Sequence, residues 1–171
     1  RTSRAKEEHG IVAASFFPAG QNPPVPINDK RVYPLYAKCI ELGLPIFINA
    51  GIPGPRIPYE SQNVGLVDEV CWFFPELKIV LRHGCEPWTD LAVKLMLKWP
   101  NLYYSTSAIA PKHYPQHITH YTNSRGGDYV LYAGHLPPGQ PRDRTRAAQP
   151  ALQPHARAAP TAHPANRPTT P

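Results

Sequence analysis

Short apolar runs that end at polar residues recur along the chain, and the stretches between them carry apolar residues at helical spacing. In the clearest run, residues 79–81, no polar residue interrupts the apolar ones, which is typical of a strand buried on both faces. This run leads into His83 and Gly84. Comparable runs predict five strands, which span residues 11–17, 44–49, 78–83, 102–107 and 129–133. The glycine after His83 permits a tight turn and the close approach of a ligand.

The stretches between the strands predict amphipathic helices over residues 28–42, 63–74, 89–99 and 112–123. Asn28 or Asp29 is a candidate N-cap for the first helix, Asn63 opens the second, and Thr89 is a candidate N-cap for the third. This strand–helix repeat suits right-handed βαβ crossovers in a parallel sheet. The sheet is either doubly wound or part of a (β/α)8 barrel. A complete barrel needs eight strands and about 250 residues, so the 171 residues present could form only part of one.

Composition changes abruptly near residue 136. The last 36 residues hold nine Pro and five Arg, and they lack the Ile, Val and aromatic residues that a core requires. We therefore expect a partial barrel domain over residues 1–137 and a disordered tail over residues 138–171. The tail is either a functional basic segment or the product of an out-of-frame reading.

The charge and the cysteines exclude several classes of protein. Of the net charge of +6, four units lie in the last 36 residues, because five Arg stand there against one Asp. The predicted domain therefore lacks the basic character of a nucleic-acid binder.

No apolar run approaches the ~20 residues of a membrane span, and the start does not resemble a signal peptide. Three cysteines in or beside apolar segments indicate reduced core thiols in a cytoplasmic protein. Since the chain begins with Arg1, it could be a fragment or a processed product.

Polar residues stand at the predicted strand ends. The carboxyl ends of parallel strands meet at one edge of the sheet, where α/β enzymes place their chemistry. We call this edge, where the strands end, the rim. The residues expected on it are Asn49, His83, Ser105, Ser107 and His135. His83 and His135 could act as acid–base groups near neutral pH or bind a metal. Asn49 could orient a substrate carbonyl or carboxylate but is a poor metal ligand.

Two neighbours of His83 have plainer interpretations. Alternation along the strand would place Arg82 on the side opposite His83, which indicates a structural role for Arg82. Cys85 could form a Cys–His nucleophile pair with His83, although side chains so close in sequence rarely face each other. We therefore expect no such pair.

Three further histidines, His113, His117 and His120, have the spacing of a single helix face. Two histidines four residues apart on a helix could chelate a metal. Pro115 interrupts this helix and no carboxylate belongs to the pattern, so a solvated helix face is the favoured interpretation.

Residues 33–49, 74–84, 99–107 and 130–134 resemble, in this order, the amidohydrolase-related metal-dependent hydrolases and decarboxylases. These include relatives of aminocarboxymuconate-semialdehyde decarboxylase. The resemblance covers about residues 8–137, and it implies the later half of a distorted (β/α)8 barrel, roughly strands four to eight.

The resemblance also implies roles for three residues. His83 matches the family's catalytic histidine after strand six. Asn49 stands where the family usually has a metal-binding histidine, and His135 stands where it usually has a metal-binding aspartate, which makes His135 the candidate metal ligand. The family's cofactor is a divalent metal, zinc. Its His-x-His pair of strand one belongs to a part of the barrel that this chain does not contain.

Together these features predict a hydrolase or carboxy-lyase for a small carboxylated or cyclic organic substrate. His83 would shuttle a proton, while Asn49, Ser105 and Ser107 would bind the substrate. The alternative is a truncated or catalytically silent, metal-free relative that binds a ligand or a partner. Five strands of a barrel would also leave sheet edges and apolar surface uncovered, so we expect self-association.

Overall fold

The computed structural model describes residues 2–133, in which five parallel strands form one sheet. The strands are β1 (Ala14–Phe16), β2 (Ile46–Asn49), β3 (Ile79–Arg82), β4 (Leu102–Ser105) and β5 (Val130–Leu131). Each strand pairs with the next one along the chain, in the order β1-β2-β3-β4-β5. A doubly wound sheet reverses its strand order, whereas a barrel does not. The predicted part-barrel of five strands is therefore confirmed, and the doubly wound alternative is wrong.

The helices are α1 (Thr2–His9), α2 (Tyr33–Glu41), α3 (Val67–Phe73), α4 (Thr89–Lys98) and α5 (Gln116–Ser124). Helices α2 to α5 connect the strands and pack on one face of the sheet, whereas α1 precedes β1 and is exposed. Short 3-10 turns add Pro18–Gly20, Glu60–Gln62, Val64–Leu66 and Pro111–His113. No helix in the described part of the chain is long and apolar enough to cross a membrane.

The predicted N-caps have three different outcomes. Asn63 accepts a hydrogen bond from the Gly65 N–H at 2.8 Å and so caps the turn that leads into α3, as predicted. The helix predicted from Asn28 or Asp29 begins only at Tyr33; the Asp29 carboxylate accepts a hydrogen bond from the Arg31 N–H and so caps a turn that precedes the helix. Thr89 is the first residue of α4 and not its cap.

The two faces of the sheet differ in character. One face packs on the helices and is fully buried, through Ile46, Ile48, Ile79, Leu81, Leu102 and Tyr104. Because successive residues of a strand alternate between faces, Asn49, Arg82 and Ser105 lie on the opposite face. In a (β/α)8 barrel that second face lines the interior. The sheet thus places polar residues at the carboxyl end of the barrel's inner surface.

The three cysteines are buried and free of disulfides, as predicted. Burial raises the pKa of the Cys71 thiol to about 12 and also raises that of Cys39 and Cys85. The predicted tail, residues 138–171, and the candidate ligand His135 lie outside the described residues.

Candidate functional site

Strands β2 and β3 end beside each other in a contact between two polar side chains. Asn49 and Arg82 are partners in the sheet register, so their side chains project to the same face. The Arg82 Nε atom donates a hydrogen bond to Asn49 Oδ1 at 2.5 Å. The expectation that Arg82 points away from the candidate site is therefore wrong. Its side chain contacts one of the residues predicted to bind the substrate.

The reason lies in the backbone at His83. Its φ angle is +69°, and the next two residues, Gly84 and Cys85, have φ angles of +97° and +59°. This left-handed segment follows directly after β3, so strand alternation does not extend to His83. Non-glycine residues in this conformation are strained, and such strain clusters at functional sites. The turn therefore brings His83 to the rim, where the strand register already places Arg82.

His83 is held at the rim by Ser107, which follows β4. The His83 backbone N–H donates to Ser107 Oγ at 3.3 Å, and the ring atom Nδ1 lies 3.3 Å from the same oxygen. The His83 side chain is partly buried and Ser107 is buried. A single hydroxyl group thus contacts both the backbone and the ring of His83.

The loop that carries His83 is packed from two sides. The Tyr104 hydroxyl donates to the Gly84 carbonyl at 3.0 Å, and burial raises the pKa of this tyrosine, so the hydroxyl stays protonated. On the other side, the backbone of Gly51 lies against Cys85, and the Ile52 N–H donates to the Glu86 carbonyl at 2.8 Å. The loops after β2 and β3 therefore form one packed unit.

Thr106, between the two candidate serines, connects the rim to β5. Its hydroxyl accepts a hydrogen bond from the Tyr114 hydroxyl at 3.1 Å and one from the Ala133 N–H at 3.2 Å. Ser105 is buried at the end of β4, one position beyond the register pair of Leu81 and Tyr104, which places it beside Arg82. These contacts give Thr106 a structural role that its position in the sequence does not show.

The predicted site residues thus separate into two groups. Asn49, His83 and Ser107 belong to two polar contacts at the rim, and Ser105 lies on the same sheet face. His135 lies outside the described residues, so its placement stays a prediction. Cys85 is completely buried, and burial raises its pKa, which argues against a Cys–His nucleophile pair.

The three spaced histidines do not share a helix. His113 ends a 3-10 turn, whereas His117 and His120 belong to α5, which begins after Pro115. All three are exposed, as the solvated-face interpretation predicted. His117 and His120 border an open groove between α4 and α5, on the outer side of the sheet.

The described residues do not fit a divalent metal centre. Within residues 2–133, no group of three or more His, Cys, Asp or Glu side chains could hold a metal ion. At Asn49, the amide oxygen already accepts a hydrogen bond from the Arg82 guanidinium. The positive charge of this group would repel a cation at that position.

Comparisons with known proteins agree with the barrel geometry. A sequence model of the amidohydrolase family matches residues 1–162. No curated protein is significantly similar to the chain. Among solved structures, an uncharacterized TIM-barrel protein from Bordetella bronchiseptica is 29% identical with a TM-score of 0.68, and the match covers 77% of this chain and 47% of that one.

Two further solved structures share the fold at lower identity. 4-Oxalomesaconate hydratase from Rhodopseudomonas palustris is 21% identical with a TM-score of 0.60, and the match covers 90% of this chain and 53% of that one. Dihydroorotase from Campylobacter jejuni is 19% identical with a TM-score of 0.56, and the match covers 77% and 46% of the two chains. The present chain therefore spans about half the length of each of these three solved structures.

Proposed function

Because the chain belongs to the amidohydrolase family, we propose that its rim is part of a hydrolase or carboxy-lyase site for a small carboxylated or cyclic organic substrate. The observation that carries this proposal is the position of His83, which Ser107 holds at the carboxyl end of the inner sheet face. In barrel enzymes, this end of the sheet carries the chemistry. Asn49, Ser105 and Ser107 are the proposed substrate-binding residues.

His83 is the proposed proton-transfer group. Imidazole exchanges protons near neutral pH, so it can serve as an acid and as a base in one reaction cycle. When Ser107 Oγ donates its proton to Nδ1, the neutral ring carries its own proton on Nε2. The contact would thereby fix the ring orientation and select one tautomer. His83 would give a proton to the substrate, or take one from it, through Nε2.

The family is generally metal-dependent, but the described donor set of this chain does not fit a metal. The proposed chemistry therefore assigns no step to an ion. Arg82 and Asn49 instead supply positive charge and N–H donors beside His83. Such groups can stabilise negative charge that develops on a substrate oxygen.

A second candidate is a metal-free binding module without turnover. The contact that favours it is the Arg82–Asn49 hydrogen bond, which occupies the amide oxygen at the position where the resemblance implies a metal ligand. A rim built in this way could bind a small ligand without accelerating its conversion. Under either candidate we expect a small-molecule ligand, a cytoplasmic location, and neither nucleic acid nor a membrane as partner.

The test compares the 171-residue chain with His83→Ala and, as a control, His117→Ala. His117 is exposed on α5, away from the rim. The assay follows the hydrolysis and decarboxylation of a panel of lactones, cyclic amides and aromatic carboxylates, before and after dialysis against a chelator. We expect His83→Ala to lower turnover about a hundredfold or more, because proton transfer contributes about 10²–10⁴-fold. The control and the dialysed chain should keep full activity.

Three outcomes would contradict parts of this proposal. Equal activity in His83→Ala and the unaltered chain would remove His83 from the mechanism. Loss of activity in the chelator, restored by zinc, would show that a metal takes part. Ligand binding without turnover across the panel would favour the binding module.

A further inference from the structure

Arg82 is a partly buried cation without an acidic partner in the described part of the chain. The ion pairs found there join Arg4 and His9 to Glu8, Arg31 to Asp29, Lys38 to Glu41 and Lys98 to Asp68. Arg82 uses Nε for Asn49, and its two terminal nitrogens have no hydrogen-bond partner among residues 2–133. Burial lowers the pKa of this guanidinium, which nevertheless remains charged at neutral pH.

A cation in this position costs free energy unless an anion or a set of acceptors compensates for its lost hydration. The Asn49 contact supplies one acceptor and also fixes the orientation of the guanidinium plane. With Nε occupied by Asn49, the edge formed by the two terminal nitrogens is left for another partner. We propose that this edge binds a carboxylate group of the substrate, which makes Arg82 a specificity-determining residue. The inference rests on the proposed function, because it requires the rim to be the substrate site.

Several features favour a carboxylate over a phosphate. A guanidinium edge presents two parallel N–H groups, which match the two coplanar oxygens of a carboxylate. The site supplies one fixed positive charge, whereas a phosphate carries up to two negative charges. Asn49 adds a neutral donor, since its Oδ1 accepts from Arg82 and its Nδ2 atom is left as a donor. The hydroxyl group of Ser105, on the same sheet face, can donate a further hydrogen bond.

Binding of benzoate tests the proposal, with benzamide as the uncharged ligand of similar shape and inorganic phosphate as the rival anion. Isothermal calorimetry would be run on the 171-residue chain, on Arg82→Gln and Arg82→Lys, and on the control Arg125→Gln. Arg125 is exposed directly after α5, away from the rim. We expect benzoate to bind better than benzamide or phosphate. Arg82→Gln should weaken benzoate binding tenfold or more, about 1.4 kcal/mol, with little change in benzamide binding.

Arg82→Lys keeps the charge but loses the planar edge, so we expect an intermediate affinity for benzoate, provided that circular dichroism shows a folded chain. Equal affinity for benzoate in the unaltered chain and Arg82→Gln would overturn the proposal. Phosphate binding as tight as benzoate binding would replace it with a general anion site. A loss of benzoate binding in Arg125→Gln would place the ligand elsewhere.

These outcomes are independent of the turnover assay. If Arg82→Gln loses benzoate selectivity while His83→Ala keeps full activity, the carboxylate site stands and the role of His83 fails. If benzoate binds equally well to all Arg82 variants while His83→Ala is inactive, the proton-transfer role stands and the carboxylate site fails.

Discussion

Replacing Gly51 with Ala tests the packing that holds the rim together. Gly51 follows β2 with a φ angle of +95°, and a Cβ atom there would lie 2.7 Å from the Cys85 carbonyl carbon and 2.8 Å from the Glu86 carbonyl oxygen. The left-handed conformation costs a non-glycine residue about 1–2 kcal/mol. Overlap with neighbouring atoms typically costs a further ~1–3 kcal/mol. We therefore expect Gly51→Ala to lower the free energy of unfolding by about 2–5 kcal/mol, a large share of the ~5–15 kcal/mol of a typical domain.

Gly43→Ala provides a matched control that separates the two costs. Gly43 has a φ angle of +63°, but no atom lies within 4 Å of the position that its Cβ would take. Gly43→Ala should therefore lower the free energy of unfolding only by the conformational cost of about 1–2 kcal/mol. Urea unfolding followed by tryptophan fluorescence gives the free energy of each variant. Equal losses in the two variants would refute the reasoning, since they would show that the loops after β2 and β3 separate without cost.

The remaining predictions concern the site, the core, the thiols and the open sheet. Ser107→Ala should lower His83-dependent turnover about two- to tenfold, because a hydrogen bond contributes about 0.5–1.5 kcal/mol, and unchanged turnover would show that Ser107 does not orient the ring. Asn101→Ala should cost about 1–3 kcal/mol of unfolding free energy in urea, because its amide donates to two backbone carbonyls at 2.9 and 3.2 Å. The control Asn28→Ala loses only an exposed hydrogen bond and should cost less than about 0.5 kcal/mol, so similar losses would contradict this account. A thiol reagent at pH 8 should label the chain only after denaturant is added, since burial raises the pKa of each thiol, and labelling of the native chain would contradict the buried positions of Cys39, Cys71 and Cys85. Sedimentation velocity should show self-association, because β1 and β5 are the edge strands of the sheet within residues 2–133, whereas a monodisperse monomer would show that five strands are self-sufficient.

The barrel geometry explains why part of the site can be described from half of a barrel. Each strand contributes its own residues to the rim, and neighbouring strands bring those residues together through the register. The contacts of Asn49 with Arg82 and of His83 with Ser107 each join adjacent strands. They therefore depend only on β2, β3 and β4, which the chain contains.

The sequence by itself determined the elements and their order. Apolar runs and helical spacing depend on residues close together in the chain, and they predicted five strands and the helices between them. The observed strands are shorter than predicted at several ends. For example, β1 spans Ala14–Phe16 where residues 11–17 were expected. The polar strand ends were also visible in sequence, which is why Asn49, His83, Ser105 and Ser107 could be named.

Only the tertiary structure decided how these residues meet. The strand order separated a barrel from a doubly wound sheet, since both predict the same alternation of elements. The placement of His83 depended on its own backbone angle, which ends the alternation, and the contact of Arg82 depended on a register pair with Asn49, 33 residues away in sequence. Strand periodicity describes neighbours within a strand and contains no information about a left-handed turn or about the residue opposite on the next strand.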